Sequence, residues 1–449
     1  MIRAATARGL CGGEILDVYP RQAWARPQSY VDLSRIVRSL FPQMPSRPRP
    51  NTGIVLSGGG ARGAYEAGVV AGLMEVLRPT RAPFDILSGT SVGALNAAYL
   101  AAHAHLPDMN APGLVSQWQA LELNRHLKLD MRGVLGFKRE WTFGAARSGI
   151  EHRTRQQRAG RSMLSAEAIE HLAYQVVPWA SLHDNLTSGK IQALVIAALH
   201  IATGRTALFA ELAPSAHFAA SSDSRRTPVV GQIGPEHVLA SAAIPLMFPA
   251  RAVGGEFYCD GGVRFNTPIA PAIRAGADRL VVISLLSEDN IAPDIAETGR
   301  IEAYHNPLFL VGKILNALLL DPLRYDLQVL ERFNALLKTL EETLEPQELE
   351  RVQQVIRKSR GTQYRRVRTL VFSPSQDIGY LARQRANEIQ SSRFSSWFLA
   401  RTATLGSLWE SDLLSFILFD AEFAAQLARL GRDDVVTRAS EVREFFAED

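Results

Sequence analysis

The sequence predicts an α/β fold in which a mostly parallel sheet is covered by helices on both faces. Short, continuously apolar runs alternate with longer helical patterns between residues 51 and 290, and strands of that kind are typical of parallel sheets. The chain has 449 residues, of which 47% are hydrophobic and 21% are charged. These values exclude a disordered or collagen-like chain, so we expect one large domain with an accessory region.

The predicted elements follow one another in the order that such a sheet requires. The run GIVL from Gly53 is the first predicted strand and leads into a helix, and FDIL from Phe84 leads into a second helix that begins at Val92. Thr267 and Pro268 are expected to open a later helix as its N-cap and first residue. Further strands are predicted at ALVIAAL from Ala193, EFYCD from Glu256 and RLVVISLL from Arg279.

The residues on either side of this region have a different pattern. Residues 1–50 contain a helical segment and then FPQMPSRPRP, whose four prolines block the helix from continuing, so we expect an N-terminal strap and linker. Residues 51–290 are predicted to form the main α/β domain. Residues 291–449 are predicted to be mainly helical, with a leucine stripe from Leu315 to Leu337 and one β-like run, TLVFSP from Thr369, that is a candidate for the edge of the sheet.

A candidate nucleophile lies between the second predicted strand and its helix. Residues 89–93 read GTSVG, a G-x-S-x-G pattern that places a serine on a tight strand-to-helix turn. Gly89 and Gly93 leave room for that turn, and the helix N-terminus beyond Ser91 stabilises developing negative charge. Ser91 is therefore the predicted nucleophile.

A candidate base follows a later strand, in the segment YCDGGVRFNTP. Asp260 ends the strand, and Gly261 and Gly262 let the chain turn sharply away from it. A carboxylate at a strand end can reach across a cleft to accept the proton of Ser91. We therefore expect Ser91 and Asp260 to act together.

The glycine loop, residues 58–62, is the third candidate part of the site. Gly58, Gly59 and Gly60 can present backbone N–H groups to an oxyanion, and Arg62 can orient the loop or add positive charge. The alternative is a dinucleotide site, because Gly58, Gly60 and Gly63 fit the G-x-G-x-x-G spacing. A dinucleotide site would need an acidic residue at the end of a second strand, about 20 residues beyond the loop. Asp85 lies near that distance, but it stands at the start of the strand that leads to the serine turn, so it does not fit this role.

These segments together resemble the patatin-like phospholipase family. The resemblance rests on SGGGARGAYEAGVVAGL, GTSVGALNAAYLA and DGGVRFNTPI, supported by ASAAIPLMFPA, and spans residues 53 to 286. One departure is minor, since Gly262 stands where Ala is also frequent in the family. The C-terminal helical region is similar to extensions on larger bacterial members.

The resemblance implies a three-layer α/β/α fold and a Ser-Asp dyad, with Ser91 as nucleophile, Asp260 as base and residues 58–62 as the oxyanion hole. It further implies hydrolysis of fatty acyl esters in phospholipids or lysophospholipids through an acyl-enzyme, with no metal or other cofactor. Two alternatives stay open. The acyl-enzyme could be resolved by an alcohol or lysolipid, as in a transacylase, or the chain could be a catalytically silent lipid-binding regulatory protein.

Other candidate groups are weaker. His103 and His105 with Asp108 could hold a metal, but solvated histidines at a helix end are more common and no cysteine cluster accompanies them. Histidines 126, 200 and 237 could each complete a triad, and none stands in a recognisable setting. The aromatic segment 394–409 is expected to pack in the core or cover the cleft rather than enter a membrane.

Charge and hydropathy bear on location and partners. Two basic stretches, residues 153–161 and 357–368, are either solvated surface or attracted to an anionic lipid surface, and no nucleic-acid motif accompanies them. The two cysteines, Cys11 and Cys259, lie far apart, and no signal segment or apolar run of about 18 residues is found. We expect a cytoplasmic protein with transient peripheral contact at the inner face of a membrane, and its oligomeric state stays open.

Overall fold

One mixed sheet organises the chain. The structure, a computed structural model, describes residues 50–121, 167–219, 223–245, 247–287, 322–360, 364–390 and 411–447. Nine strands within these ranges belong to the sheet. In chain order they are β1 (Thr52–Leu56), β2 (Ile86–Thr90), β3 (Ala193–His200), β4 (Arg205–Leu212), β5 (Arg226–Val230), β6 (Arg251–Val253), β7 (Glu256–Asp260), β8 (Arg279–Ile283) and β9 (Arg368–Phe372).

The sheet is mostly parallel, as predicted. Its strand order is β5-β4-β3-β2-β1-β8-β9, and all neighbours in this order pair in parallel except β3 and β4. Strand β7 pairs antiparallel with the end of β3 and with β6. The run TLVFSP does return to the sheet edge, because β9 pairs in parallel with β8.

Helices cover both faces of this sheet. Residues Gly60–Arg62 form a 3-10 turn and Leu172–Val176 a π-helical turn. The α-helices of the described ranges are α1 (Gly63–Leu77), α2 (Val92–Ala102), α3 (Ala111–Gln119), α4 (Glu167–His171), α5 (Trp179–Thr187), α6 (Pro235–Ser241), α7 (Gly262–Phe265), α8 (Ile269–Arg274), α9 (Pro322–Thr343), α10 (Pro346–Arg360), α11 (Ile378–Gln390), α12 (Ser411–Ile417), α13 (Ala421–Thr437) and α14 (Ala439–Ala447).

The core is divided by the sheet because successive side chains of a strand point to opposite faces. Ile54 and Leu56 of β1 belong to a large cluster that includes residues of α1, α2 and α13, whereas Val55 belongs to a smaller cluster with α8. Leu327 and Leu330 of α9 pack against that smaller cluster. The α/β fold with helices on both faces and further helices at the C-terminus is confirmed.

The C-terminal helix α13 packs directly on α1. A Cβ atom added at Gly68 would lie 2.1 Å from the carbonyl oxygen of Ala428, and one at Gly431 would lie 2.3 Å from that of Tyr65. The two helices therefore approach backbone to backbone. The domain boundary at residue 290 stays a prediction, although β9 and α13 share the sheet and the core with the residues before it.

One predicted helix start differs by a residue. Helix α8 begins at Ile269, with Pro268 in the cap position, and Thr267 does not cap it. The hydroxyl of Thr267 instead lies 3.0 Å from that of Ser57, and this contact to the end of β1 takes the place of capping.

Several expectations fall outside the described residues. These are the N-terminal strap, the basic stretch 153–161, His126, the first part of the leucine stripe and the aromatic segment 394–409. Within the described ranges, no helix combines the length and the apolar character needed to cross a lipid bilayer.

Candidate active site

Ser91 occupies the strained turn that the G-x-S-x-G pattern predicts. Its φ and ψ angles are 56° and −127°, a conformation that a residue with a side chain rarely adopts. The glycines on either side permit the close packing of the turn, because a Cβ at Gly93 would lie 2.4 Å from the carbonyl oxygen of Leu56, and one at Gly89 2.3 Å from that of Gly93. The serine is 1% exposed, at the N-terminus of α2.

A second serine holds this turn in place. The N–H of Ser91 donates to Oγ of Ser241 at 2.8 Å, and the hydroxyl of Ser241 donates to the carbonyl oxygen of Ala197 at 2.6 Å. Ser241 is completely buried at the end of α6. It therefore links the turn to β3.

The pairing of β3 brings Asp260 to Ser91. Strand β2 pairs with one edge of β3 up to Ala197, opposite Thr90, and β7 pairs with β3 from Ala198, which lies opposite Asp260. Strand β4 occupies the other edge of β3 over its whole length. Because β7 takes over the edge where β2 ends, the residue after Thr90 and the last residue of β7 arrive at the same point.

Asp260 is buried and only partly hydrogen-bonded. Its Oδ1 accepts the N–H of Gly262 at 2.7 Å, and its own N–H donates to the carbonyl oxygen of Ala243 at 2.9 Å. Oδ2 meets hydrogen-bond geometry with no group in the described part of the chain. This oxygen is therefore available to accept a proton.

Burial sets the basicity of this carboxylate. Complete burial raises the pKa of Asp260 from 3.8 to about 7, and the hydroxyl of Ser91 and the N–H of Gly262 act in the opposite direction. The pairing of β2 and β7 with adjacent residues of β3 is what brings this carboxylate to Ser91. A base with a pKa near neutrality is suited to proton transfer at physiological pH. The neighbouring thiol of Cys259 stays protonated there, because burial raises its pKa to about 11.

The glycine loop lies against the serine. A Cβ at Gly58 would lie 2.9 Å from Cβ of Ser91. The N–H of Gly58 donates to Oδ1 of Asn266 at 3.0 Å, and Nδ2 of Asn266 donates back to the carbonyl oxygen of Gly58 at 3.1 Å. The N–H groups of Gly59 and Gly60, by contrast, donate to no acceptor within the described ranges. Among the predicted donors, Gly59 and Gly60 are thus the ones that an oxyanion could engage.

Arg62 extends from this loop toward the C-terminal part of the chain. Its side chain is buried, with Nε donating to Oγ of Ser415 at 2.7 Å and Nη1 to the carbonyl oxygen of Leu285 at 3.2 Å. The guanidinium also lies 4.6 Å from the ring centre of Phe416. The contacts with Ser415 and Phe416 orient its charge toward α12.

A buried polar network begins at Ser57, the residue before the glycine loop. Glu66 accepts the N–H of Ser57 through Oε1 at 2.6 Å and Nδ2 of Asn96 through Oε2 at 2.9 Å, and Oδ1 of Asn96 accepts Nε1 of Trp118 at 2.9 Å. Burial raises the pKa of Glu66 to about 8, so this carboxyl is mostly protonated at neutral pH. The network ties the end of β1 to α1, α2 and α3.

Sequence reasoning did not single out Ser241, Asn266, Glu66 or Asn96. Each is a common polar residue whose partner is distant in sequence: Ser241 lies 150 residues from Ser91, and Asn266 lies 208 residues from Gly58. The local signal was position, because all four stand inside the segments that carry the family resemblance.

Three of the candidate histidines have other partners. His103 lies 2.8 Å from the carbonyl oxygen of Tyr99, His200 lies between Thr203 and Glu256, and His237 accepts the N–H of Gly234. Within the described ranges, no cluster of three or more His, Cys, Asp or Glu residues has a geometry that could hold a metal.

Part of the second basic stretch has a structural role. Arg365 pairs with Asp278 at 3.0 Å and Arg366 with Glu341 at 2.8 Å. Arg368 lies 5.6 Å from the ring centre of Phe445. These contacts attach three of the six basic residues, at the start of β9 and just before it, to the rest of the fold.

The region of the chain that contains these residues matches a known family. The family model described as patatin-like phospholipase matches residues 54–273, a range that contains Ser91, Asp260 and the glycine loop. The chain is 37% identical over 82 residues to the patatin-like phospholipase domain-containing protein ZK370.4 of Caenorhabditis elegans. It is 36% identical over 84 residues to the neuropathy target esterase sws of Drosophila persimilis.

These relatives are much longer proteins. The matched segments cover 18% and 19% of this chain but only 5% of each relative. Among solved structures, VipD from Legionella pneumophila matches with 14% identity and a TM-score of 0.32, covering 85% of this chain and 67% of its own. A chain of the heterodimeric ExoU–SpcU complex from the type III secretion system of Pseudomonas aeruginosa matches with 14% identity and a TM-score of 0.26, covering 82% of this chain and 74% of its own.

The match over residues 54–273 coincides with the strands and helices that carry the serine turn, the aspartate and the glycine loop. Through this region, the chain belongs to the patatin-like phospholipase family.

Proposed function

We propose that the chain is a serine acyl hydrolase of lipids, of the phospholipase A or lysophospholipase type. The observation that carries the proposal is the placement of Ser91, on its strained turn, beside the buried carboxylate of Asp260, whose pKa burial raises to about 7. The glycine loop lies against the same serine. A nucleophile, a base and oxyanion donors are the three parts that acyl transfer requires.

In the first half-reaction, Oγ of Ser91 attacks the acyl carbonyl carbon while its proton passes to Oδ2 of Asp260. The carbonyl oxygen becomes an oxyanion that accepts the N–H groups of Gly59 and Gly60. Collapse of this intermediate breaks the ester bond, and the leaving alcohol or lysolipid takes the proton from Asp260. An acyl-enzyme on Ser91 remains.

In the second half-reaction, Asp260 accepts a proton from water, and the resulting hydroxide attacks the acyl carbonyl carbon. Breakdown of the second intermediate releases the fatty acid and returns the proton to Ser91. The same carboxylate therefore serves in both halves, and no metal or organic cofactor takes part.

The substrate class follows from the family and from the names of the relatives, which are a phospholipase-domain protein and an esterase. We propose phospholipids or lysophospholipids as substrates, reached by transient contact with the inner face of a cytoplasmic membrane. The family match supports a lipid substrate, and the membrane contact is inferred from where such substrates lie.

The proposal is tested by measuring fatty-acid release from vesicles of mixed phospholipid and lysophospholipid. Wild type, Ser91→Ala and Asp260→Asn are compared at matched folding by circular dichroism, with Ser188→Ala as a serine control at the end of α5. We expect release by wild type and the control alone. Equal release by all four would contradict the dyad, and binding to vesicles without release would favour a catalytically silent lipid-binding protein.

An acceptor distinguishes hydrolysis from transacylation. When an excess of lysophospholipid or a simple alcohol is added, a hydrolase still yields mainly free fatty acid. If the acyl group appears mainly on the acceptor, the chain is a transacylase, and the acyl-enzyme part of the mechanism stands.

A further inference from the structure

The glycine loop is held from two sides. On one side, Asn266 bonds both the N–H and the carbonyl oxygen of Gly58, and this residue lies within the range of the family model. On the other side lie residues 414–419, which we call the C-terminal clamp. The clamp comprises the end of α12 and the residues that follow it, and it lies more than 100 positions beyond residue 273, where the family model ends.

The clamp touches the backbone of the loop at Gly60. This residue has a φ of +58°, and a Cβ there would lie 2.1 Å from the carbonyl oxygen of Phe416. Both the positive φ and the close approach require glycine. The backbone of the clamp therefore determines where the middle of the loop can lie.

The clamp also holds the side chain of Arg62. Ser415 accepts the bond from Nε at 2.7 Å, and the ring of Phe416 lies under the guanidinium at 4.6 Å. Ser415 and Phe416 are both completely buried. A charge-assisted hydrogen bond and a desolvated cation–π contact are among the stronger polar contacts of a protein interior.

The clamp is itself fixed in the fold. The ring of Phe419 stacks on that of Trp118, with centres 6.2 Å apart and planes 7° from parallel. Just beyond the clamp, Asp420 accepts Nε of Arg385 at 2.7 Å and the N–H of Phe423 at 3.0 Å, so that it caps α13. A rigidly held clamp can position the loop that it touches.

We propose that Ser415 and Phe416 are positioning residues of the oxyanion hole, acting through Arg62 and the backbone of Gly60. The inference rests on the proposed function, because it assigns these residues to the same reaction. The N–H groups of Gly59 and Gly60 must point at the oxyanion, and a loop that shifts by a fraction of an ångström loses stabilisation of the transition state more than binding of the substrate.

The test uses the full chain and a soluble p-nitrophenyl ester, so that membrane contact does not affect the rates. Ser415→Ala is expected to lower kcat about tenfold and to change KM less than about twofold, because the loop acts on the transition state. Arg429→Ala, an exposed residue of α13 that pairs with Glu422, is the control and is expected to match wild type.

A double-mutant cycle shows whether Ser415 acts through Arg62. Arg62→Lys keeps the charge but has no Nε–H at that position, so the effect of Ser415→Ala on kcat should largely disappear in the Arg62→Lys background. If the fold decrease in kcat of the double variant equals the product of the decreases in the two single variants, the proposal is overturned. A Ser415→Ala enzyme whose kcat is within about twofold of wild type would overturn it as well.

A second variant covers the case in which Ser415→Ala fails to fold. Phe416→Leu keeps an apolar side chain but removes the ring under the guanidinium, and we expect it to lower kcat several-fold with the same small change in KM. An unchanged kcat would overturn the role of Phe416. If the wild type cleaves the ester and Ser91→Ala does not, the proposed function stands whichever result the clamp variants give.

Discussion

Ser241 accepts the backbone N–H of Ser91 at 2.8 Å, and two residues further on the carbonyl oxygen of Ala243 accepts the N–H of Asp260 at 2.9 Å. One three-residue segment at the end of α6, residues 241–243, therefore bonds to both members of the candidate dyad. The two candidate groups follow or end different strands, so these two bonds join them through a second route beside the pairing of the strands.

Loss of the Ser241 hydroxyl should therefore slow catalysis. We expect Ser241→Ala to lower kcat about tenfold with little change in KM, because the turn loses one of its bonds while the substrate site stays intact. Steady-state kinetics on a soluble ester would show this. Ser188→Ala removes a serine hydroxyl near the surface and should match wild type. A Ser241→Ala enzyme as fast as that control would show that strand pairing alone positions the dyad.

The activity should depend on pH through Asp260. Its pKa is raised to about 7, and the ionised carboxylate is the base, so kcat/KM should rise about tenfold per unit below pH 7 and level off above it. A profile from pH 5 to 9 tests this, and Cys259→Ser should leave the midpoint in place. A midpoint near pH 4 would mean that the carboxylate is solvated in the working enzyme.

Glu66 should make folding stability pH-dependent. Its folded-state pKa is raised from 4.5 to about 8, so the stability that it contributes is complete below pH 4.5 and is lost as the pH rises through 8. Glu66→Gln removes this titration. Its side chain has one acceptor oxygen for two donors, the N–H of Ser57 and Nδ2 of Asn96, so the variant should be less stable than wild type at pH 6.

The difference in the free energy of unfolding between wild type and Glu66→Gln should then shrink as the pH rises toward 9, by at most about 1.4 kcal/mol per pH unit. Urea unfolding at pH 6, 7.5 and 9 measures the difference between the variant and wild type. Glu75→Gln, a half-exposed carboxylate that pairs with Arg432, is the control and should show a constant difference over this range. A constant difference for Glu66→Gln as well would mean that Glu66 is already ionised in the folded protein.

The contact between α1 and α13 should make Gly68 intolerant of a side chain. Alanine favours a helix by about 1 kcal/mol over glycine, but its Cβ would lie 2.1 Å from the carbonyl oxygen of Ala428. We expect Gly68→Ala to destabilise the protein by about 1–3 kcal/mol. Gly231→Ala, where a Cβ meets nothing within 4 Å, should stay within about 0.5 kcal/mol. A stabilised Gly68→Ala would contradict the close packing of the two helices.

Features with a strong local signal could be predicted from the sequence. The strands β1, β3, β7, β8 and β9 largely coincide with the predicted apolar runs, and the serine turn has a pattern that fixes its backbone. Strand β2 begins two residues after the start of the run FDIL and extends three residues beyond its end. Strand β5 gave no such signal, because four of its five residues are exposed at the sheet edge. Its assignment depends on pairing with β4, which a single sequence does not reveal.

The supporting residues could not be predicted for a related reason. Glu66 lies in the first turn of α1, and only the fold places Ser57 and Asn96 against it. The contact between Arg62 and Ser415 joins residues 353 positions apart. Local patterns carry no information on such distances, so the relation of the C-terminal helices to the site had to come from the structure.

A nucleophilic Ser91 activated by Asp260 should react with a fluorophosphonate. The full chain is treated with this reagent, and peptide mass spectrometry locates the adduct. We expect one modified residue, Ser91, with no labelling in Ser91→Ala and slower labelling in Asp260→Asn. Labelling of a different serine, or none in a folded wild type, would contradict this role of Ser91.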